Sequence, residues 1–97
     1  MVIVGGVFEL DPAERDAFVA SRMAMMRASR QEPGCLEYTF APDPLVAGRV
    51  VLFERWESQA ALDAHLAALR GADPAAETVV PISASITIHE VAGERRL

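Results

Sequence analysis

Lysine and asparagine are both absent from the 97-residue chain, and cysteine occurs once. A single cysteine excludes an internal disulfide, and the two histidines show no spacing typical of a metal site, so we expect neither a disulfide framework nor a bound metal ion. No apolar run approaches the roughly 20 residues that cross a membrane. The first residues also lack the basic and apolar regions of a signal peptide. These absences predict a cytoplasmic protein without a membrane partner.

The basic residues are few and are all arginine: nine arginines stand against 14 acidic residues, which gives a net charge of −5. An acidic chain without a basic cluster argues against nucleic acid as a partner. Apolar residues make up 52% and charged residues 24% of the chain, a balance typical of folded rather than disordered proteins. No linker or repeat divides the sequence, so we expect one domain over residues 1–97.

Hydrophobic periodicity divides the chain into strands and helices. Residues 2–10 alternate as a strand, and Asp11 followed by Pro12 is typical of a helix N-terminus. That first helix is expected to reach about Gln31, because Pro33-Gly34 ends it. The remaining predicted elements are a strand over about Cys35–Ala41, a strand over Val50–Trp56, a helix capped by Ser58, a short helical piece over Ala75–Val80 and a strand over Ile82–Val91.

Two of these elements have side chains that align on one side. The second strand is expected to carry Leu36, Tyr38 and Phe40 on one face. Spacings of three and four residues give the capped helix an inward stripe of Leu62, His65, Leu66 and Leu69.

The order βαββαβ predicts an α+β protein of the ferredoxin-like type, with a four-stranded antiparallel sheet. In that arrangement the first and third strands are central, and both carry apolar residues on two faces. Helices cover only one face of such a sheet, and the other apolar face would be exposed to water. We therefore expect a homodimer in which two sheets pack face to face.

The first helix has two contrasting sides. One side is lined by alanine: Ala13, Ala17, Ala20, Ala24 and Ala28. The other carries Phe18, Met25 and Met26 around Arg22. Either side can pack on the sheet. If the Phe/Met side faces inward, Arg22 either reaches a cavity to meet an anionic oxygen or extends along its apolar neighbours.

His65 is the sharpest single candidate for a functional residue, since an imidazole on an inward stripe can act as a general base near neutral pH. A buried histidine satisfied by a backbone carbonyl or a water is the alternative. Glu54 shares a strand face with Trp56, so if that face is buried it needs an arginine partner or a raised pKa, and it is a secondary candidate for proton transfer. Tyr38 and Trp56 can wall a cavity or belong to the core, and the same holds for Met25.

The segments Glu32–Tyr38 (EPGCLEY) and Glu54–Ser58 (ERWES), followed by Ala61-Leu62 and His65, resemble the antibiotic biosynthesis monooxygenase family. The resemblance covers nearly the whole chain. It implies a dimeric α+β barrel, which agrees with the fold class that the strand pattern predicts independently.

For function, the resemblance implies a monooxygenase that needs no cofactor and oxidises small hydroxylated aromatics, such as quinols or polyketide phenols, with O₂ to quinones. His65 would be the base, Arg22 the partner of the substrate anion, and Trp56 and Tyr38 the cavity walls, with Met25 and Glu54 also contacting substrate. Haem-degrading relatives depend on a pocket asparagine, which this chain lacks. The alternatives are a catalytically silent dimer that binds a small apolar ligand and an isomerase of a small carbonyl compound.

Overall fold

The computed structural model describes residues 1–71 and 79–97. The elements are β1 (Val2–Glu9), a 3-10 turn (Pro12–Glu14), α1 (Arg15–Ser21), α2 (Met23–Ser29), β2 (Cys35–Pro42), β3 (Arg49–Trp56), α3 (Gln59–Arg70) and β4 (Ser83–Glu90). The helical piece predicted over Ala75–Val80 falls largely on residues 72–78, which lie outside the described residues. Within the described ranges, no helix is long and apolar enough to cross a membrane.

The four strands form one antiparallel sheet in the order β2-β3-β1-β4. The predicted α+β ferredoxin-like class is confirmed, with β1 and β3 at the centre. Because paired residues of neighbouring strands point to the same side, Val4 shares a face with its partners Glu54 and Ile88. We call this side the inner face and the opposite side the outer face.

The first helix, predicted as one piece, is divided at Arg22 into α1 and α2. In a continuous α-helix the Arg22 amide would bond to the carbonyl of Phe18. Instead, the Ser21 hydroxyl donates to that carbonyl at 2.6 Å, and the Arg22 amide donates to the carbonyl of Val19 at 3.1 Å. A serine side chain that bonds back to the preceding turn competes with the helical ladder in this way. The single-helix prediction is therefore wrong at this point.

The Phe/Met side of the first helical segment faces the sheet. Phe18, Arg22, Met26 and Ser29 are buried, whereas the five alanines are exposed. Phe18 and Met26 join one core cluster with inner-face side chains such as Phe40. The structure thus decides between the two orientations that the sequence left open.

The prediction that Leu36 shares a strand face with Tyr38 and Phe40 is wrong, because its side chain is 41% exposed while theirs are buried. The pairing of β2 with β3 shifts register between Cys35 and Glu37. A bulge of this kind breaks the alternation of side chains, so residues on its two sides no longer share a face.

Helix α3 begins and packs as predicted. The Ser58 side chain accepts a hydrogen bond from the Ala61 amide at 3.1 Å and so caps the helix. Leu62 and His65 are then fully buried against the inner face. Gly34, with φ of +83°, lets the turn after α2 approach this helix, since a Cβ there would lie 2.6 Å from the Cβ of Ala61.

The outer face carries apolar side chains that the described residues leave partly exposed. Val51 is 40% and Phe53 37% exposed on the central strand β3. The buried apolar residues of α1, α2 and α3, namely Phe18, Met26 and Leu62, all belong to the core cluster on the inner side. The face-to-face homodimer stays a prediction, and the outer face is the surface on which it depends.

Candidate functional site

A cavity of about 280 Å³ lies between the inner face of the sheet and the helices; we call it the central pocket. Four of its lining side chains are polar: Arg22, Tyr38, Glu54 and His65. The rest are apolar, namely Val4, Phe8, Met25, Phe40, Leu52, Leu62, Leu66, Leu69, Ile86 and Ile88. An apolar cavity with a few convergent polar groups is typical of a small-molecule site.

Most of the site residues predicted from sequence are brought together here. The central pocket is lined by Arg22, Met25, Tyr38, Glu54 and His65. Trp56 is not among the lining residues. Its side chain is fully buried, and its ring centroid lies 4.8 Å from that of His65. The indole is thus placed to support the polar groups of the pocket from behind.

The His65 ring contacts two aromatic rings, and one of its nitrogens lies next to a carboxylate. The imidazole packs against Trp56 and, at a centroid distance of 5.2 Å, against Tyr38. Its Nδ1 lies 3.0 Å and 3.2 Å from the two carboxylate oxygens of Glu32. Its Nε2 is buried and has no hydrogen-bond partner among the described residues. One nitrogen is therefore fixed, and the other is available to a ligand.

Glu54 lies opposite that nitrogen. The distance from His65 Nε2 to Glu54 Oε1 is 3.8 Å, which is too long for a hydrogen bond. The same oxygen accepts a hydrogen bond from the Trp56 indole at 3.0 Å. Burial raises the pKa of Glu54, while the Trp56 hydrogen bond and His65 act to lower it.

Arg22 reaches the pocket from the break between α1 and α2. Its side chain is largely buried, and the guanidinium carbon lies 4.7 Å from the centroid of the Phe18 ring. This distance is typical of a cation–π contact. Arg22 thus lines the cavity while its guanidinium contacts the Phe18 ring, and its role as the partner of a substrate anion stays a prediction.

The Tyr38 hydroxyl is the fourth polar group of the pocket, and it donates to the sulfur of Met25 at 3.3 Å. Burial raises the pKa of Tyr38, and the nearby carboxylate of Glu54 adds to the rise. The phenol therefore stays protonated and can donate a hydrogen bond to an oxygen in the cavity.

Glu32 is the residue of this site that sequence reasoning missed. The Glu-Pro-Gly segment predicts the end of the first helix and belongs to the family resemblance, but neither periodicity nor spacing links Glu32 to α3. The contact with His65 joins residues 33 positions apart. A carboxylate next to a predicted helix-ending turn gives no signal by itself that it will meet a buried histidine.

Residues 1–71 and 79–97 contain no group of three or more histidine, cysteine, aspartate or glutamate side chains arranged to hold a metal ion.

The chain matches known proteins both in sequence and in structure. The family model described as antibiotic biosynthesis monooxygenase matches residues 1–70. A crystal structure from Deinococcus radiodurans that bears the same family name superposes with a TM-score of 0.85 at 25% identity, covering 100% of this chain and 98% of the other. Rv0793 from Mycobacterium tuberculosis aligns with a TM-score of 0.69 at 29% identity, covering 98% of each chain.

Among curated proteins, the uncharacterised protein sll1783 of Synechocystis is 34% identical over 64 residues. That match covers 66% of this chain and 44% of the relative, so the chain spans less than half of the relative's length.

Proposed function

The chain belongs to the antibiotic biosynthesis monooxygenase family, and on this basis we propose that it is a monooxygenase that acts without a cofactor on small hydroxylated aromatics such as quinols or polyketide phenols. Its products would be quinones. The observation that carries the proposal is His65 Nε2, a buried nitrogen without a hydrogen-bond partner among the described residues, at the wall of an apolar cavity. A base in that position can remove a proton from a phenolic hydroxyl.

The proposed reaction consumes one phenol and one O₂ and yields one quinone and one water. The phenolic O–H bond breaks and its proton passes to His65 Nε2. The resulting aryloxide transfers one electron to O₂, and the aryloxyl radical and superoxide combine to form a carbon–oxygen bond. His65 returns its proton to the peroxide, after which the O–O bond breaks with loss of the ring hydrogen. The released hydroxide and that proton form water.

The other polar groups of the central pocket suit an aryloxide intermediate. The guanidinium of Arg22 supplies a positive charge, and the protonated hydroxyl of Tyr38 supplies a neutral donor. Charge-assisted hydrogen bonds to an oxyanion are strong in a cavity from which water is excluded. Met25 and the leucines of α3 provide an adaptable apolar wall for the ring.

The direct test is O₂ uptake by the purified protein with a panel of quinols, phenols and anthrones. We expect uptake to fall at least about tenfold in His65→Ala, because a positioned base contributes at least that much to proton transfer. His89→Ala is the matched control, since His89 lies on the exposed strand β4. Unchanged uptake in His65→Ala would remove His65 from the mechanism. No uptake across the panel, combined with thermal stabilisation by a small apolar ligand, would favour the silent binding dimer.

A further inference from the structure

Glu32 and His65 form a pair in which a carboxylate can orient the imidazole of a histidine. Both carboxylate oxygens of Glu32 lie within hydrogen-bond distance of Nδ1, at 3.0 Å and 3.2 Å. An ionised carboxylate can only accept hydrogen bonds, so the partner nitrogen must carry the proton. In neutral His65 the proton is therefore on Nδ1, and the lone pair of Nε2 points away from Glu32.

The two nitrogens of His65 face different environments. Glu32 lines a groove on the outside of the molecule together with the turn at Pro33-Gly34 and the alanines of α3. Its side chain is 29% exposed. The His65 side chain is 1% exposed and lines the central pocket. The imidazole thus separates a hydrated carboxylate from an apolar cavity.

The described groups around the His65 ring form no hydrogen bond with Nε2, so none of them competes with the placement of the proton on Nδ1. Tyr38 of β2 and Trp56 of β3 contact the ring by their own aromatic rings. The Oε1 of Glu54 lies 3.8 Å from Nε2 and accepts the hydrogen bond of the Trp56 indole. At that distance it attracts a positive charge on the ring without occupying the nitrogen.

We propose that Glu32 is the positioning residue for His65: it holds the proton on Nδ1, directs the Nε2 lone pair into the central pocket, and stabilises the imidazolium formed when Nε2 takes a proton. The last of these roles rests on the proposed function, while the first two do not. A substrate hydroxyl proton moves to Nε2, the Nδ1 proton remains shared with Glu32, and no proton leaves the site through Glu32. The carboxylate acts through the base and does not touch substrate.

The tautomer is measured by ¹⁵N NMR of the histidine side chains in the full chain at about pH 8, above the ordinary histidine pKa. We expect Nδ1 of His65 to be protonated and Nε2 to be unprotonated, with His89 as the internal reference. Glu32→Gln should relax this preference, because an amide can donate to Nδ1 as well as accept from it. Glu57→Gln, a carboxylate lining the same outer groove, should leave the His65 signals unchanged. Wild-type protein protonated at Nε2, or Glu32→Gln signals identical to wild type, would overturn the proposal.

Kinetics then separate positioning from a structural role. With any substrate found active, Glu32→Gln should lower kcat at least about tenfold with KM nearly unchanged, since the substrate does not contact Glu32. Glu32→Asp keeps the charge and should recover part of kcat; it also serves if Glu32→Gln fails to fold. Active wild type with undiminished kcat in Glu32→Gln would contradict the stabilising role of Glu32 and leave the proposed function intact. If wild type itself is inactive, the proposed function fails, and the NMR result still decides the tautomer.

Discussion

Glu54 is a carboxyl group with 5% of its surface exposed, on the inner face of β3. Transfer of a carboxylate into an apolar interior disfavours its charged form, and this is the main cause that raises the pKa of Glu54. The Trp56 indole satisfies one oxygen and opposes the shift. Burial of Glu54 therefore lowers the free energy of unfolding by an amount that depends on pH.

This cost predicts the stability of Glu54→Gln. Below the ordinary carboxyl pKa of 4.5 both folded and unfolded chains hold the proton, so the wild type carries no penalty. As pH rises, the unfolded chain ionises first, and the folded state loses relative stability until the raised pKa is passed. We expect Glu54→Gln to unfold at a higher temperature than wild type at about pH 7, with a smaller difference at about pH 4, measured by thermal denaturation. Glu57→Gln, an exposed carboxyl, should show no such trend; an equal advantage for Glu54→Gln at both pH values would contradict the argument.

At the scale of secondary-structure elements, local hydrogen bonds mark where the 3-10 turn and α3 begin and where the first helical segment breaks. Asp11 accepts from the Ala13 amide at 2.9 Å and Ser58 from the Ala61 amide at 3.1 Å, as the sequence predicted for both caps. Ser21 shows the same chemistry inside a helix, where it removes the Phe18 carbonyl from the ladder. The resulting break carries Arg22 into the pocket.

The cap of α3 gives a prediction at this scale. Ser58→Ala removes the acceptor of the Ala61 amide, and we expect a loss of about 1 kcal/mol in the free energy of unfolding, measured by urea denaturation. Ser58→Asp keeps an acceptor at the same place and should remain close to wild type. An equal loss in both variants would show that the side chain contributes something other than the cap.

For the molecule as a whole, the outer face of the sheet is the surface for which we still predict a partner. Its central strands present apolar side chains to solvent at Val51 and Phe53, and the helices in the described part of the chain pack on the other side. Exposed contiguous apolar surface on a sheet is typical of an interface. A second copy of the same sheet offers a cover of matching shape and apolar character.

We therefore expect native light scattering at micromolar concentration to give twice the 10.5 kDa chain mass. Phe53→Asp should shift the mass towards the monomer, because it places a charge at the centre of the apolar face. Leu45→Asp is the matched control: Leu45 is 92% exposed in the loop between β2 and β3, away from that face. A monomeric wild type would end the dimer prediction.

The sequence alone determined what depends on neighbours along the chain. Alternation and helical spacing predicted the strands, the central places of β1 and β3, and the burial of Leu62 and His65, because these patterns arise from backbone geometry that repeats every two or 3.6 residues. The caps at Asp11 and Ser58 were predicted from side chains that accept hydrogen bonds from the first free amides of a helix, which is also a local property of the chain. The outcome at Leu36 marks the limit of this reasoning, since one bulge in β2 cancels the alternation and leaves no signature in composition.

Only the tertiary structure decided which groups meet. The fold chose the Phe/Met side of the first helical segment, brought Arg22, Tyr38 and Glu54 to one cavity, and placed Glu32 on Nδ1 of His65. Such contacts join side chains far apart in sequence, and they depend on where a helix breaks, how closely a glycine turn approaches its neighbour and how the core packs. Those choices are made by the whole set of contacts at once, and for that reason no short stretch of sequence records them.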